Sequence, residues 1–164
     1  MDQKKGLLWI RIIAILAILL SSLLVYEHYK TTPSEFCTFG ESFDCDLVNK
    51  SAYSTIDGIF YFLSMDLGLH QIPLFYIPIP LSLMGILVFL FVLLSAHSIN
   101  NKKNLFGIKP KNQIKVLKWL MVLSILLALY LIYIEKFILL MWCIYCLGLD
   151  ILIVISAILI MRLK

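Results

Sequence analysis

The chain has 164 residues, of which 62% are hydrophobic and only 15% charged, and its mean hydropathy is +0.97. That composition excludes an ordinary soluble domain, a nucleic-acid binder, a disordered tail and a disulfide mini-protein. The formal charge of +4 does not mark a polyanion-binding surface, because the charges separate by side once the apolar runs are assigned.

The first run, Leu7 to Tyr26, is broken only by Arg11 and two serines, and at about 20 residues it is long enough to cross a bilayer. Arg11 is able to snorkel. Val25-Tyr26-Glu27-His28 follows in place of a small-x-small cleavage site, so the run reads as a retained helix and not a signal peptide. A loop over about residues 27–79 comes next. Its second half, Ile56 to Ile79, is apolar and aromatic but broken by Gly68, Pro73 and Pro78. Such a stretch predicts a lid lying along the membrane interface. The second span starts at Pro80, since proline suits a first helical turn, and covers residues 80–97. A third covers 116–134. The fourth, 137–161, begins near Phe137 after Glu135-Lys136 and places Cys143 and Cys146 within its first two or three turns. The expected fold is an all-α integral membrane protein, a single domain over 1–164, with four transmembrane helices in a bundle and a redox loop and lid between the first two.

Eleven Lys and Arg residues fall on one side of these spans, and Lys30, Lys50 and Lys136 on the other. The positive-inside rule therefore predicts a multi-pass protein of the cell (inner or plasma) membrane, both termini cytoplasmic and the loop extracytoplasmic. The six lysines between Lys102 and Lys118 read as topology signal and anionic-lipid contact, with no nucleic-acid role.

All four cysteines, Cys37, Cys45, Cys143 and Cys146, lie at the extracytoplasmic side in this topology, where disulfides persist. Residues three apart near a helix start share a face, and a helix N-terminus stabilises a thiolate. Cys143-Ile-Tyr-Cys146 is therefore a candidate redox pair. The plain alternative takes the helix cysteines as small apolar residues and Cys37 and Cys45 as a loop staple. A four-cysteine zinc site fits poorly, because the loop cysteines are eight apart and no external histidine is close to either pair. His28, His70 and His97 are scattered interfacial or loop residues. Two pairs on one side suit a relay: a loop pair is open to a soluble protein dithiol, a bundle pair to a lipid-soluble acceptor, and thiol–disulfide exchange links them. A two-electron acceptor that resides in the bilayer points to a quinone, menaquinone, ubiquinone or a relative.

Cys37-Thr-Phe-Gly-Glu-Ser-Phe-Asp-Cys45, then Ser51-Ala-Tyr, then Ile79-Pro80-Leu81-Ser82-Leu83-Met84-Gly85, then Cys143-Ile-Tyr-Cys146 resemble the vitamin K epoxide reductase family, including its bacterial and archaeal disulfide-forming homologues. The resemblance implies a thiol:quinone oxidoreductase. In it Cys37 exchanges with a thioredoxin-like (DsbA-like) partner, Cys45 relays to Cys143, and Cys146 faces and reduces the quinone. Ser51 matches a serine or threonine near the family's active site; on the residues alone it reads equally well as a turn residue. Many bacterial homologues carry a fused thioredoxin-like domain, and this chain ends at Lys164 without one, which implies a partner in trans.

One position departs from the animal enzymes, which have tyrosine four residues after the second helix cysteine where this chain has Asp150. At about 100° per residue, Asp150 shares a face with Cys143 and Cys146. An ionisable residue in a membrane helix marks a functional site by default. Asp150 is expected either to face the quinone and donate it a hydrogen bond or proton, or to pair with a polar group between helices. Two rival readings stay open: a quinone or vitamin K epoxide reductase whose product is the hydroquinone, and a non-enzymatic, disulfide-stapled membrane protein. Asn49-Lys50-Ser51 is formally a glycosylation sequon.

Overall fold

A computed structural model describes residues 3–32, 38–39, 42–62, 64, 78–102, 104–105 and 107–163. Helix α1 spans Gln3–Tyr29; a two-stranded antiparallel ribbon, β1 (Thr38–Phe39) and β2 (Phe43–Asp44), leads into the short α2 (Cys45–Asn49); a 3₁₀ turn (Ala52–Ser54) and α3 (Ile56–Tyr61) precede the long helices α4 (Leu81–Asn100), α5 (Pro110–Tyr133) and α6 (Ile144–Met161). Four segments are long and apolar enough to cross a membrane: Lys4–Tyr29, Leu81–Asn100, Pro110–Leu139 and Ile144–Met161. The shortest has 18 residues and rises about 27 Å, close to the thickness of a hydrocarbon core. The protein is thus a multi-pass membrane helix bundle.

In lipid the apolar faces of these helices gain nothing by meeting one another, so close packing has to hold them. α1 lies against α4 on one side and α6 on the other, and α5 completes the ring against α6 and, more thinly, α4. Leu7, Ile10, Ala14 and Ala17 repeat along α1 at helical spacing and form the core with Phe89, Val92, Ala96, Leu117, Met121, Ala157 and Ile160. Small residues mark the seams. A Cβ added at Gly85 would lie 2.9 Å from Ser21 Oγ, and one at Gly148 would lie 3.3 Å from a methyl of Leu20, so α4 and α6 press on α1 where they carry no side chain.

At the lysine-rich end, two cations bind backbone carbonyls. Arg11 donates from Nη2 to the Ala96 carbonyl (3.2 Å), an interhelical bond where snorkelling is expected, and Lys118 Nζ donates to the Leu163 carbonyl (2.9 Å) beyond the end of α6, where a positive charge also complements the helix dipole.

The largest departure from the sequence reading lies between the third and fourth spans. The third helix does not stop at 134, nor does the fourth start at Phe137: α5 continues into a π-helical turn, Ile134–Leu139. Leu140 then adopts the left-handed conformation, φ 54° and ψ 25°, and the Leu140 and Met141 N–H groups both donate to the Glu135 carbonyl. A non-glycine residue there costs about 1–2 kcal/mol, and no glycine or proline announces the break. What imposes it is tertiary pairing. Trp142 forms a parallel bridge with Phe43: its N–H donates to Ser42 O (2.9 Å) and its carbonyl accepts from Asp44 N (3.1 Å). Backbone groups committed to the loop cannot join a helix ladder, so α6 starts only at Ile144.

The expected lid lies mostly outside the described residues. Its described part, α3, is anchored at both ends. Ile56 N donates to Ile79 O (3.0 Å) at the foot of α4, and Phe62 stacks edge-on against Tyr130 and Tyr133 of α5.

Candidate functional site

The Phe43–Trp142 bridge has a consequence for the cysteines. Two residues after Phe43 comes Cys45, the first residue of α2; one residue after Trp142 comes Cys143. Both are buried, at 1% and 0% exposure, and they share one cluster with Leu24 and Val48, against which Cys146 and Tyr145 pack. Asp44 fixes the start of α2 by accepting from Leu47 N (3.0 Å), the role its residue type predicts at an N-cap. Cys45 is disulfide-bonded, whereas Cys143 and Cys146 are free thiols. Cys37 lies outside the described residues.

Cys143 is the N-cap of α6 rather than a residue inside it, a correction that follows from the late helix start. Its Sγ accepts the Cys146 N–H at 3.1 Å, satisfying one of the donors that a helix N-terminus leaves without a partner. The two sulfurs of the motif therefore sit one turn apart at the mouth of the helix.

Beneath them a cavity of about 110 Å³ opens between α1, α2, α4, α5 and α6. Its walls are mainly aliphatic, from Leu24 and Val48 above to Val88 and Ile153 below, and polar groups enter at several points, among them Cys146, Ser51, Asn49, Glu135 and Asp150. An apolar hollow with few convergent polar groups is the usual form of a small-molecule site.

Asp150 is 7% exposed and lines the cavity. Its Oδ2 has no hydrogen-bond partner among the described residues. Ser51 also lines the cavity, but its hydroxyl donates to the Val48 carbonyl (2.8 Å) and closes the end of α2; both of its readings therefore coexist.

Two polar residues of the cavity were not marked by the sequence. Glu135 reads there as a boundary between spans. In the fold the π turn swings it inward until it is 1% exposed. One carboxylate oxygen, Oε2, accepts the Cys143 N–H at 3.2 Å, while Oε1 has no hydrogen-bond partner among the described residues. Cys146 and Asp150 line the same cavity as this carboxylate. Asn49 reads as a sequon, yet it is 5% exposed and its Nδ2 donates to Leu24 O (2.7 Å), so its amide is committed inside the fold. Its own carbonyl binds Ser54 Oγ (2.7 Å) and His28 Nδ1 (2.6 Å), which latches the end of α1 to α2. His97 meets Asn101 at the opposite end of the bundle; His70 lies outside the described residues. Among the described residues no group of three His, Cys, Asp or Glu is arranged to hold a metal ion.

The fold and this site define a helical membrane protein with a thiol centre over an apolar pocket. The pattern of the Vitamin K epoxide reductase family matches residues 8–161, nearly the whole chain, and the protein belongs to that family. Membership carries membrane quinone-linked disulfide oxidoreductase chemistry in general. No curated protein matches the chain significantly.

Proposed function

We propose that the protein reoxidises a thioredoxin-like dithiol partner, acting in trans, and passes the two electrons to a membrane quinone. The observation that carries this reading is the Phe43–Trp142 bridge, which holds Cys45 and Cys143 in one buried cluster at the mouth of the apolar hollow that Cys146 lines.

The steps follow from thiol–disulfide exchange. The partner dithiol reduces a Cys37–Cys45 disulfide. Cys45 then attacks Cys143 of a Cys143–Cys146 disulfide, forming a Cys45–Cys143 bond and freeing Cys146. Attack of Cys37 on Cys45 restores the loop disulfide and leaves Cys143 and Cys146 as thiols. That dithiol yields two electrons and two protons to the acceptor and closes into a disulfide again. A bonded Cys45 together with free Cys143 and Cys146 is the state that stands just before this last step. A quinone bound in the hollow would supply the two-electron sink; the aliphatic walls suit its ring, and a protonated Asp150 offers a polar contact to its oxygens. The lysine distribution supports an orientation with the cysteine end outside the cytoplasm.

The test is quinone reduction by the purified protein in detergent or nanodiscs, followed by absorbance, with a reduced thioredoxin-like donor. Each of Cys37→Ala, Cys45→Ala, Cys143→Ala and Cys146→Ala is expected to reduce turnover to background. A wild type inactive with several donors and quinones, its disulfides intact, would favour the stapled structural protein; turnover with an epoxide but not with a quinone would favour the reductase reading.

A further inference from the structure

We infer that Glu135 is the acid–base residue of the thiol centre, taking the proton from the Cys146 thiol and handing it on toward the acceptor. The inference rests on the thiol–quinone reading above and adds a residue to it.

Oxidation of two thiols to a disulfide releases two protons, and reduction of a quinone to its hydroquinone takes up two. The reaction therefore balances with no outside proton, but each proton must travel from sulfur to oxygen through a pocket walled by leucine, valine and isoleucine. Water is a poor courier across such walls. Glu135 and Asp150 are the two carboxyl groups that line the hollow, and each keeps one buried oxygen without a hydrogen-bond partner among the described residues. A buried oxygen left in that condition costs about 1–3 kcal/mol. The fold tolerates the cost three times within one cavity, at Glu135, Asp150 and the Ser82 hydroxyl.

The division of labour within Glu135 is set by geometry. Oε2 is held by the Cys143 N–H, which fixes the carboxylate against the start of α6, and Oε1 is left without a partner among the described residues at the hollow that Cys146 also lines. Cys143 Sγ receives the Cys146 N–H, and Cys146 lines the hollow that Glu135 also lines, so the Cys146 thiol and the carboxylate share one cavity. As Cys146 gives up its proton to Glu135, the sulfur's electron pair becomes available to the acceptor. When Cys143 closes on Cys146, its own proton leaves by the same carboxylate. Asp150, further down the same helix face, is placed to present the proton at the acceptor's oxygen.

Glu135→Gln tests this, since glutamine keeps an oxygen to accept the Cys143 N–H but cannot take up a proton. In the reduced, quinone-free protein, alkylation of Cys146 by a small reagent should slow at least tenfold. Single-turnover reduction of a soluble quinone analogue should fall about a hundredfold, the usual scale for loss of a general base. Exchange of a soluble dithiol with the Cys37–Cys45 disulfide, in which Cys146 takes no part, should be unchanged when followed by gel shift without quinone. A purely structural Glu135 would slow that exchange as well, and that result would overturn the proposal. So would alkylation that is unchanged or faster, as loss of a mere repelling charge would produce. If Glu135→Gln does not fold, the wild type decides: deuterated solvent must slow its single-turnover step, and no solvent effect would overturn the inference. A wild type that does not reduce quinone at all would instead defeat the underlying functional reading.

Discussion

The two halves of the bundle are built on opposite terms. Toward the lysine-rich end, α1, α4, α5 and α6 meet through alanines, valines and leucines, and Arg11 Nη2 and Lys118 Nζ find backbone carbonyls. Toward the cysteine end the same helices part around a hollow, and Glu135 and Asp150 are buried with oxygens left unpaired. One half is packed for stability and the other gives up stability for chemistry. Proteins break local rules at functional sites, and here the carboxyl groups of Glu135 and Asp150 lie at the cysteine end, whereas toward the lysine-rich end the buried atoms without a partner among the described residues include Arg11 Nε, Ser95 Oγ and Ser156 Oγ.

This contrast can be broken from either side. Leu117, 1% exposed in the packed half, should be costly to truncate: Leu117→Ala is expected to lower unfolding stability by about 2 kcal/mol, the low end of the range for soluble cores because lipid removes the hydrophobic part of the penalty. A thermal melt in detergent checks the loss. Turnover per folded molecule should not change. Asp150→Asn should do the reverse. The amide keeps the side chain's shape but has no acidic proton, so quinone reduction should slow about tenfold, equivalent to about 1.4 kcal/mol, with the melting temperature unchanged or slightly raised. Unchanged quinone reduction would return Asp150 to a packing role. Should both variants lose stability and activity together, the division between the halves would be wrong.

How much of this could be read from the residues differs by region in the same way. The packed half is legible: four apolar runs, proline before the second, and lysines gathered at one set of ends give the spans and their parity. The cysteine pairs and Asp150 also stand out, since each is rare in an apolar helix and their spacing puts them on one face. Glu135 does not stand out, because a charged pair between two apolar runs looks like a loop. Its inward position depends on a π turn closed by Leu140 in the left-handed region, a place where glycine would have given warning. The late start of α6 was equally hidden, as Ile138 to Trp142 is apolar and would continue a helix if Trp142 were not paired with Phe43. Asn49 misleads for a related reason: a surface motif by sequence, it is buried by a contact with α1 twenty-five residues away. Local pattern reveals what local physics decides, and the site is assembled by contacts between distant segments.

The central claim is that the loop hands its electrons to the helix through Cys45 and Cys143, and a trapping experiment tests it most directly. With Cys146→Ser the helix disulfide cannot form, and the Cys143 thiol can join Cys45 only by attacking the Cys37–Cys45 disulfide, which makes a Cys45–Cys143 bond and releases the Cys37 thiol. Mass spectrometry of peptides from the non-reduced variant, isolated from membranes, should show a Cys45–Cys143 disulfide accumulating. Finding Cys45 bonded only to Cys37, with Cys143 a free thiol, would contradict the relay and detach the loop from the chemistry of the bundle.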